Sequence, residues 1–111
     1  MKLVVYVMND VNLLDEFLRQ LNDKEIKGAT IIQSTGMARK LIESDDMKFI
    51  GTLKALFDNP RVDSNVILMV LPDNQVETAY KVIESVAGDL MKPNSGIAFT
   101  IPLENVKGFK Q

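Results

Sequence analysis

The residues best suited to contact a ligand lie in one short segment after a predicted strand. Ser34, Thr35 and Gly36 follow that strand, and Arg39 comes three residues later. A glycine lets backbone N–H groups approach a phosphate closely, and arginine offers an anion a planar fork of donors. The segment therefore favours a site for a small anionic ligand, although its first three residues are equally typical of a strand-ending turn.

A second candidate segment precedes the last predicted strand. Lys92 lies near the end of a predicted helix, and a Pro-Asn-Ser-Gly loop closes with Gly96. A cation at a helix C-terminus also satisfies the helix dipole, so ligand contact is the less common of two roles for Lys92.

Composition argues against catalysis and against metal binding. The chain has neither cysteine nor histidine, which removes disulfides, thiolate and imidazole ligands, and the usual general base near neutral pH. The remaining polar residues form no recognisable catalytic constellation, and the acidic stretch 43–46 resembles a solvated loop. We therefore predict that the protein is not an enzyme and has no metal site. No cofactor is predicted apart from an adenine nucleotide ligand, which follows from the resemblance described below.

Length and charge narrow the class of protein further. With 111 residues, 46% apolar and 25% charged, the chain is predicted to form one domain, residues 1–111. A net charge of −2 implies no basic face, so nucleic-acid binding is not expected. The apolar run 3–8 is too short to span a membrane, and we predict a cytoplasmic protein with no membrane insertion.

The order of predicted elements is β-α-β-(insert)-β-α-β. Apolar runs predict strands at residues 3–8, 29–33, 66–71 and 97–101, and apolar residues at helical spacing predict helices from Asn12 to about residue 24 and from residue 72 to about 90. An insert of about 41–65 is predicted to carry a helix over 47–57. This order is that of an α+β, ferredoxin-like split βαβ sandwich with a helical insert between strands two and three.

Strands one and three are predicted to occupy the centre of the sheet, because right-handed crossovers place them there. Both strands are apolar on both faces, whereas a sheet with helices on one side alternates apolar and polar residues. The second face is therefore expected to be buried against other protein, and assembly of identical chains through the sheet is the simplest way to bury it.

Residues 28–40 resemble a segment of the nitrogen-regulatory PII signalling proteins. That family has a G-x-T strand start followed by G-x-G-R-Q, and here Gly28, Thr30, Gly36 and Arg39 match without a gap. Residues 66–101 are similar as well, including the final Gly-x-x-Phe strand that begins at Gly96. The resemblance covers about four-fifths of the chain and stops across the insert.

The resemblance implies a homotrimer that binds adenine nucleotides between subunits and signals to a target protein. It implies that Thr30 faces the adenine and that Gly36 and Arg39 lie near the phosphates, with the loop 92–96 of a neighbouring subunit completing the cleft. The full set of ligand-binding residues is Thr30, Ser34, Thr35, Gly36, Arg39, Lys92 and Gly96.

The chain also departs from the family pattern. Ala38 stands in place of the second glycine, and Lys40 replaces the glutamine that helps to hold Mg²⁺ and 2-oxoglutarate. The G-D-G-K loop has no lysine here, and the basic R-x-R of the tail is Gly108, Phe109 and Lys110. These changes remove phosphate-binding cations and put ordinary ATP binding in question.

Two alternative functions remain open. Bacterial cyclic di-adenylate receptors are similar through a Thr-Gly turn after the second strand and a Gly-x-x-Phe last strand, which Thr35, Gly36, Gly96 and Phe99 match. A structural or interaction module that needs no ligand is the other alternative.

Overall fold

The computed structural model describes residues 1–37, 40, 64–88, 91 and 96–109. Within them, a four-stranded sheet and two α-helices form a small α+β domain, so the predicted α+β class is confirmed. One turn of 3-10 helix precedes each α-helix. The strands are β1 (Lys2–Met8), β2 (Thr30–Ser34), β3 (Ser64–Leu71) and β4 (Ile97–Pro102), and the helices are α1 (Leu14–Asp23) and α2 (Val76–Ala87).

The sheet has the strand order β2-β3-β1-β4, and every neighbouring pair is antiparallel. The prediction that strands one and three are central is therefore confirmed. In the register of the two central strands, Val5 lies opposite Leu68, and on its other side Val5 lies opposite Phe99 of β4. This register puts every second residue of each strand on the same face of the sheet.

Both helices pack against one face of the sheet, and the core lies between them. Tyr6 of β1 and Phe17 of α1 pack with their ring centroids 5.3 Å apart in a tilted arrangement. Such an aromatic pair adds to the stabilisation from burial alone. The fully or nearly fully buried members of this core are Val4, Tyr6, Met8, Phe17, Leu21, Ile26, Ile67, Met69, Leu71, Ala79, Val82 and Ile83.

The start of the first helical segment differs from the prediction. The side chain of Asp10, not that of Asn12, caps it: Asp10 Oδ1 accepts from the backbone N–H of Asn12 at 3.1 Å. Aspartate and asparagine are both good N-cap residues. Because β1 ends at Met8, the helical turn begins early enough for Asp10 to take the N-cap position. In the first turn of α1, Glu16 accepts hydrogen bonds from the side chains of Arg19 and Gln20.

The second helix follows the predicted pattern as far as it is described. A 3-10 turn (Asp73–Gln75) leads into α2 directly after Pro72, and the buried residues of α2 recur at helical spacing. The helix ends before Gly88, whose φ of 76° suits a glycine at a helix C-terminus.

The second face of the sheet, here called the open face, carries no described helix. Its described side chains include no charged residue, which agrees with the predicted apolar character of both faces. Ile97 is 57% exposed there and Ile32 47%. By the strand register, the open face consists of Leu3, Val5, Val7, Thr30, Ile32, Ser34, Ser64, Val66, Leu68, Val70, Ile97, Phe99 and Ile101.

The predicted insert, about 41–65, lies outside the described residues except for its last two. Ser64 and Asn65 belong to β3, so that strand begins two residues before the predicted start at Val66. The predicted helix over 47–57 lies wholly outside the described residues.

Candidate functional site

Thr30 lies at the first position of β2 and lines a cleft. This Thr30 cleft has a volume of about 1080 Å³. Its floor is a corner of the open face, formed by Leu3, Leu68 and Val70, and its walls are the loop 25–29, the turn 72–75 and the tail. The cleft exists because β2 is short and begins opposite Leu68, which leaves the end of β3 without a neighbour on that side.

The tail reaches this cleft from the other edge of the sheet. The backbone N–H of Leu103 donates to the carbonyl oxygen of Met1 at 3.2 Å, so the chain leaves β4 beside the start of β1. Gly108 and Phe109 then line the Thr30 cleft. These are two of the three residues that stand where the PII family has its basic tail motif, and the third, Lys110, lies outside the described residues.

The turn that forms one wall of the cleft is attached to the start of β1 through Asp73 and is closed by a hydrogen bond of its own. The α-amino group of Met1 lies 3.0 Å from Asp73 Oδ1, and Lys2 Nζ lies 3.9 Å from the same atom. These contacts hold the pKa of the Asp73 carboxyl below its usual range, first through the hydrogen bond from the amino group and then through the charge of Lys2. The backbone N–H of Gln75 donates to the carbonyl oxygen of Pro72 at 3.0 Å.

Ser34, Thr35 and Gly36 lie at the opposite end of β2. The hydroxyls of Ser34 and Ser64 are 2.7 Å apart, so the Ser34 side chain already has a partner in the neighbouring strand. Thr35 and Gly36 are exposed, and the carbonyl oxygen of Gly36 accepts from the backbone N–H of Lys40 at 3.2 Å. The turn interpretation accounts for Ser34, whereas Thr35 and Gly36 remain accessible to a ligand.

Gly96 has a structural role that needs no ligand. Its φ is 100°, and a Cβ added there would overlap the carbonyl oxygen of Val7 and touch the ring of Tyr6. Gly36, by contrast, has no atom of the described residues within 4 Å of such a Cβ. Close approach of backbones and a positive φ explain Gly96, while nothing in the packing requires a glycine at position 36.

Among the described residues, one chain places Thr30 well apart from Ser34 and Gly96. Thr30 and Ser34 are four residue steps apart along β2, a distance of about 13 Å. Gly96 lies at the Ser34 end, but β2 and β4 are the two edge strands, which places them about 14 Å apart across the sheet. Arg39 and Lys92 lie outside the described residues. Of the described site residues, Thr30 lines the Thr30 cleft, whereas Ser34, Thr35, Gly36 and Gly96 do not.

A smaller cleft, of about 580 Å³, lies on the helix-covered side near Ser64. Val11, Leu14, Ile31, Gln33, Ser64 and Asn65 line it. No sequence pattern predicted this cleft. Asn65, a polar residue in front of a long apolar run, was the one feature that pointed to it. Asn65 is 5% exposed, so most of its side chain faces protein.

Two further observations bear on chemistry. Burial raises the pKa of the Tyr6 hydroxyl, and the negative charge of Asp10 adds to this effect, so Tyr6 remains protonated at neutral pH. In the described residues, no group of three or more acidic side chains is placed to hold a metal ion. None of the described helices is both long and apolar enough to cross a membrane.

Comparison of the chain with protein-family models gives no match. Comparison with curated proteins gives no match either.

Proposed function

We propose that this chain is a PII-like regulatory protein. In this proposal, ferredoxin-like subunits form a homotrimer in the cytoplasm, bind a small anionic ligand, namely an adenine nucleotide, and act on a target protein by contact rather than by catalysis. The observation that carries the proposal is the Thr30 cleft, because it joins two segments that the resemblance assigns to one ligand, residues 28–30 and the tail residues Gly108 and Phe109.

The strand order supports the ferredoxin-like arrangement. A split βαβ fold with right-handed crossovers has its first and third strands in the centre and its second and fourth at the edges. The order β2-β3-β1-β4, with both described helices on one face, fits this arrangement.

The open face supports assembly of identical subunits. Large apolar surfaces without charged residues are uncommon on monomers and mark interaction sites. Several of its side chains, among them Phe99 at 42% and Ile101 at 44%, remain substantially exposed in the single chain. Packing of open faces against one another removes this surface from water and brings the β2 edge of one subunit towards a neighbour.

In this assembly, site residues that lie far apart in one chain contact the same ligand from two different subunits. The base of the nucleotide lies in the Thr30 cleft of one subunit, and the phosphates lie near Gly36 and Arg39 of the next. The exposed position of Gly36, where no described side chain lies against the backbone, supports its role beside a phosphate.

Titration calorimetry tests this function with ATP, ADP, AMP and cyclic di-AMP. We expect at least one of these ligands to bind below millimolar concentration. Thr30→Val and Arg39→Ala should each weaken binding about tenfold or more, because each removes a hydrogen bond to the ligand. Ser85→Ala, on the exposed side of α2, is the control and should bind as the wild type does.

Two results would count against the proposal. If none of the four ligands binds below millimolar concentration, the nucleotide function fails. The second candidate, an interaction module that needs no ligand, then takes its place, since the open face favours that function independently. If a nucleotide binds but neither variant weakens binding, the site lies elsewhere.

A further inference from the structure

We infer that Asn74 and Gln75 select the ligand by reading the hydrogen-bonding edge of its base. This inference rests on the proposed nucleotide function and deepens it. Neither residue belongs to the segments that the sequence singled out, and both line the Thr30 cleft on the wall opposite the loop 25–29.

The charge of the cleft indicates which part of a nucleotide it takes. Among its described lining residues, the charged side chains are Glu25 and Lys27, one of each sign. Such a lining offers no net attraction to a polyphosphate group. The rest of its lining is a mixture of polar and apolar groups, and Leu3, Leu68 and Phe109 are among the apolar side chains available to pack against a flat ring. The cleft therefore suits the base and sugar, and the phosphates extend away from it.

The size of the cleft agrees with this assignment. At about 1080 Å³ it is slightly larger than the usual range for small-molecule sites, roughly 300–1,000 Å³. A base with its sugar fits such a space, and part of the volume stays open to solvent.

The two amides supply the specificity that apolar walls lack. Each carries a carbonyl acceptor and an NH₂ donor on one planar group. Asparagine and glutamine pair in this way with the adjacent donor and acceptor of adenine, its N6 and N7, whereas guanine offers two acceptors there. An amide pointing into the cleft thus discriminates between purines.

Two contacts restrain the turn that carries these amides. The hydrogen bond from Gln75 to Pro72 closes the turn 72–75 internally, and the contact of Asp73 with the Met1 amino group attaches it to the start of β1. A restrained turn loses little freedom on binding, which makes it a suitable place for specificity-determining side chains.

The test compares the binding of AMP, GMP and CMP, which carry the same phosphate on different bases. We expect the wild type to bind AMP about tenfold more tightly than GMP or CMP, as a good amide–adenine pair allows. Gln75→Met, which keeps the length of the side chain, and Asn74→Ala should each reduce this ratio to about threefold or less. Gln33→Met, at the other end of β2 and outside the Thr30 cleft, is the matched control and should keep the wild-type ratio.

The ratio of affinities is the readout because a partly unfolded variant loses affinity for all three ligands equally. A ratio that stays at its wild-type value in both variants overturns the inference and leaves the nucleotide function standing. Equal binding of the three nucleotides by the wild type also overturns it. Binding of none of them, together with failure of ATP and ADP to bind, overturns the proposed function as well.

Discussion

The backbone of Gly96 lies against the carbonyl oxygen of Val7, at the point where β4 joins the edge of β1. No other residue type combines the φ of 100° with the absence of a Cβ that this contact requires. The glycine of the Gly-x-x-Phe sequence is thus explained by packing, which weakens the case for a ligand role based on that glycine alone.

Gly96→Ala should lower the free energy of unfolding by at least about 2 kcal/mol, since it adds a left-handed conformation for a non-glycine residue and an overlap with backbone. Chemical denaturation monitored by circular dichroism measures this change. Gly36→Ala is the matched control, because the added methyl group enters open space, and it should change stability by less than about 0.5 kcal/mol. Equal effects of the two substitutions would contradict the structural role of Gly96.

The hydroxyls of Tyr80 and Thr100 lie 2.7 Å apart and link α2 to β4. Tyr80→Phe and Thr100→Val should each lower the free energy of unfolding by about 1 kcal/mol, the usual net contribution of such a hydrogen bond. In a double-mutant cycle the combined variant should cost less than the two single costs added together, because the same bond is removed only once. Strict additivity would show that the bond contributes nothing.

The raised pKa of Tyr6 predicts a specific loss of stability in alkali. Folding favours the neutral phenol, so the contribution is fully present below the ordinary tyrosine pKa of 10.0 and declines as the pH rises through the higher pKa of the folded state. Unfolding measured from pH 8 to pH 11.5 should show a steeper loss above pH 10 for the wild type than for Tyr6→Phe. Parallel curves for the two proteins would refute this expectation.

The open face predicts that a charge on one side of β2 disrupts assembly while a charge on the other side does not. Ile32 faces the open side and Gln33 the helix-covered side, and both are exposed in the single chain. In sedimentation equilibrium the wild type should have the mass of three chains of 12.4 kDa each. Ile32→Glu should shift it towards the monomer, because a charge desolvated at an interface costs several kcal/mol, and Gln33→Glu should not.

A wild-type protein that sediments as a monomer at micromolar concentration would contradict the proposed assembly. Dissociation by both variants to the same extent would instead indicate that β2 contributes through its backbone or through overall charge.

Most elements of the fold could be predicted from the sequence, because long apolar runs mark the two central strands. The start of β3 was missed for a physical reason. Ser64 and Asn65 are polar, and Ser64 takes its place in the strand through its contact with Ser34, a residue 30 positions away that no local pattern reveals.

The site was harder to predict from the sequence than the fold. That Thr30 and Ser34 lie at opposite ends of a strand follows from strand geometry alone. The approach of Phe109 to Leu3 and Leu68 does not, since the tail has no periodic pattern and its path is set by tertiary contacts. For the same reason, the sequence around Asn74 and Gln75 indicated only the start of a helix and not a place in a cleft.

The central position of β1 has a consequence for how the chain is made. Val7 pairs with Val66 on one side and with Ile97 on the other, so the first of the four described strands gains its second neighbour only after the last of them, β4, has been made. Closing such long loops is entropically costly and slows folding. During synthesis the apolar residues of β1 therefore lack one neighbouring strand until β4 has been made, and a nascent chain halted before β4 exposes one edge of β1 to any other strand in reach.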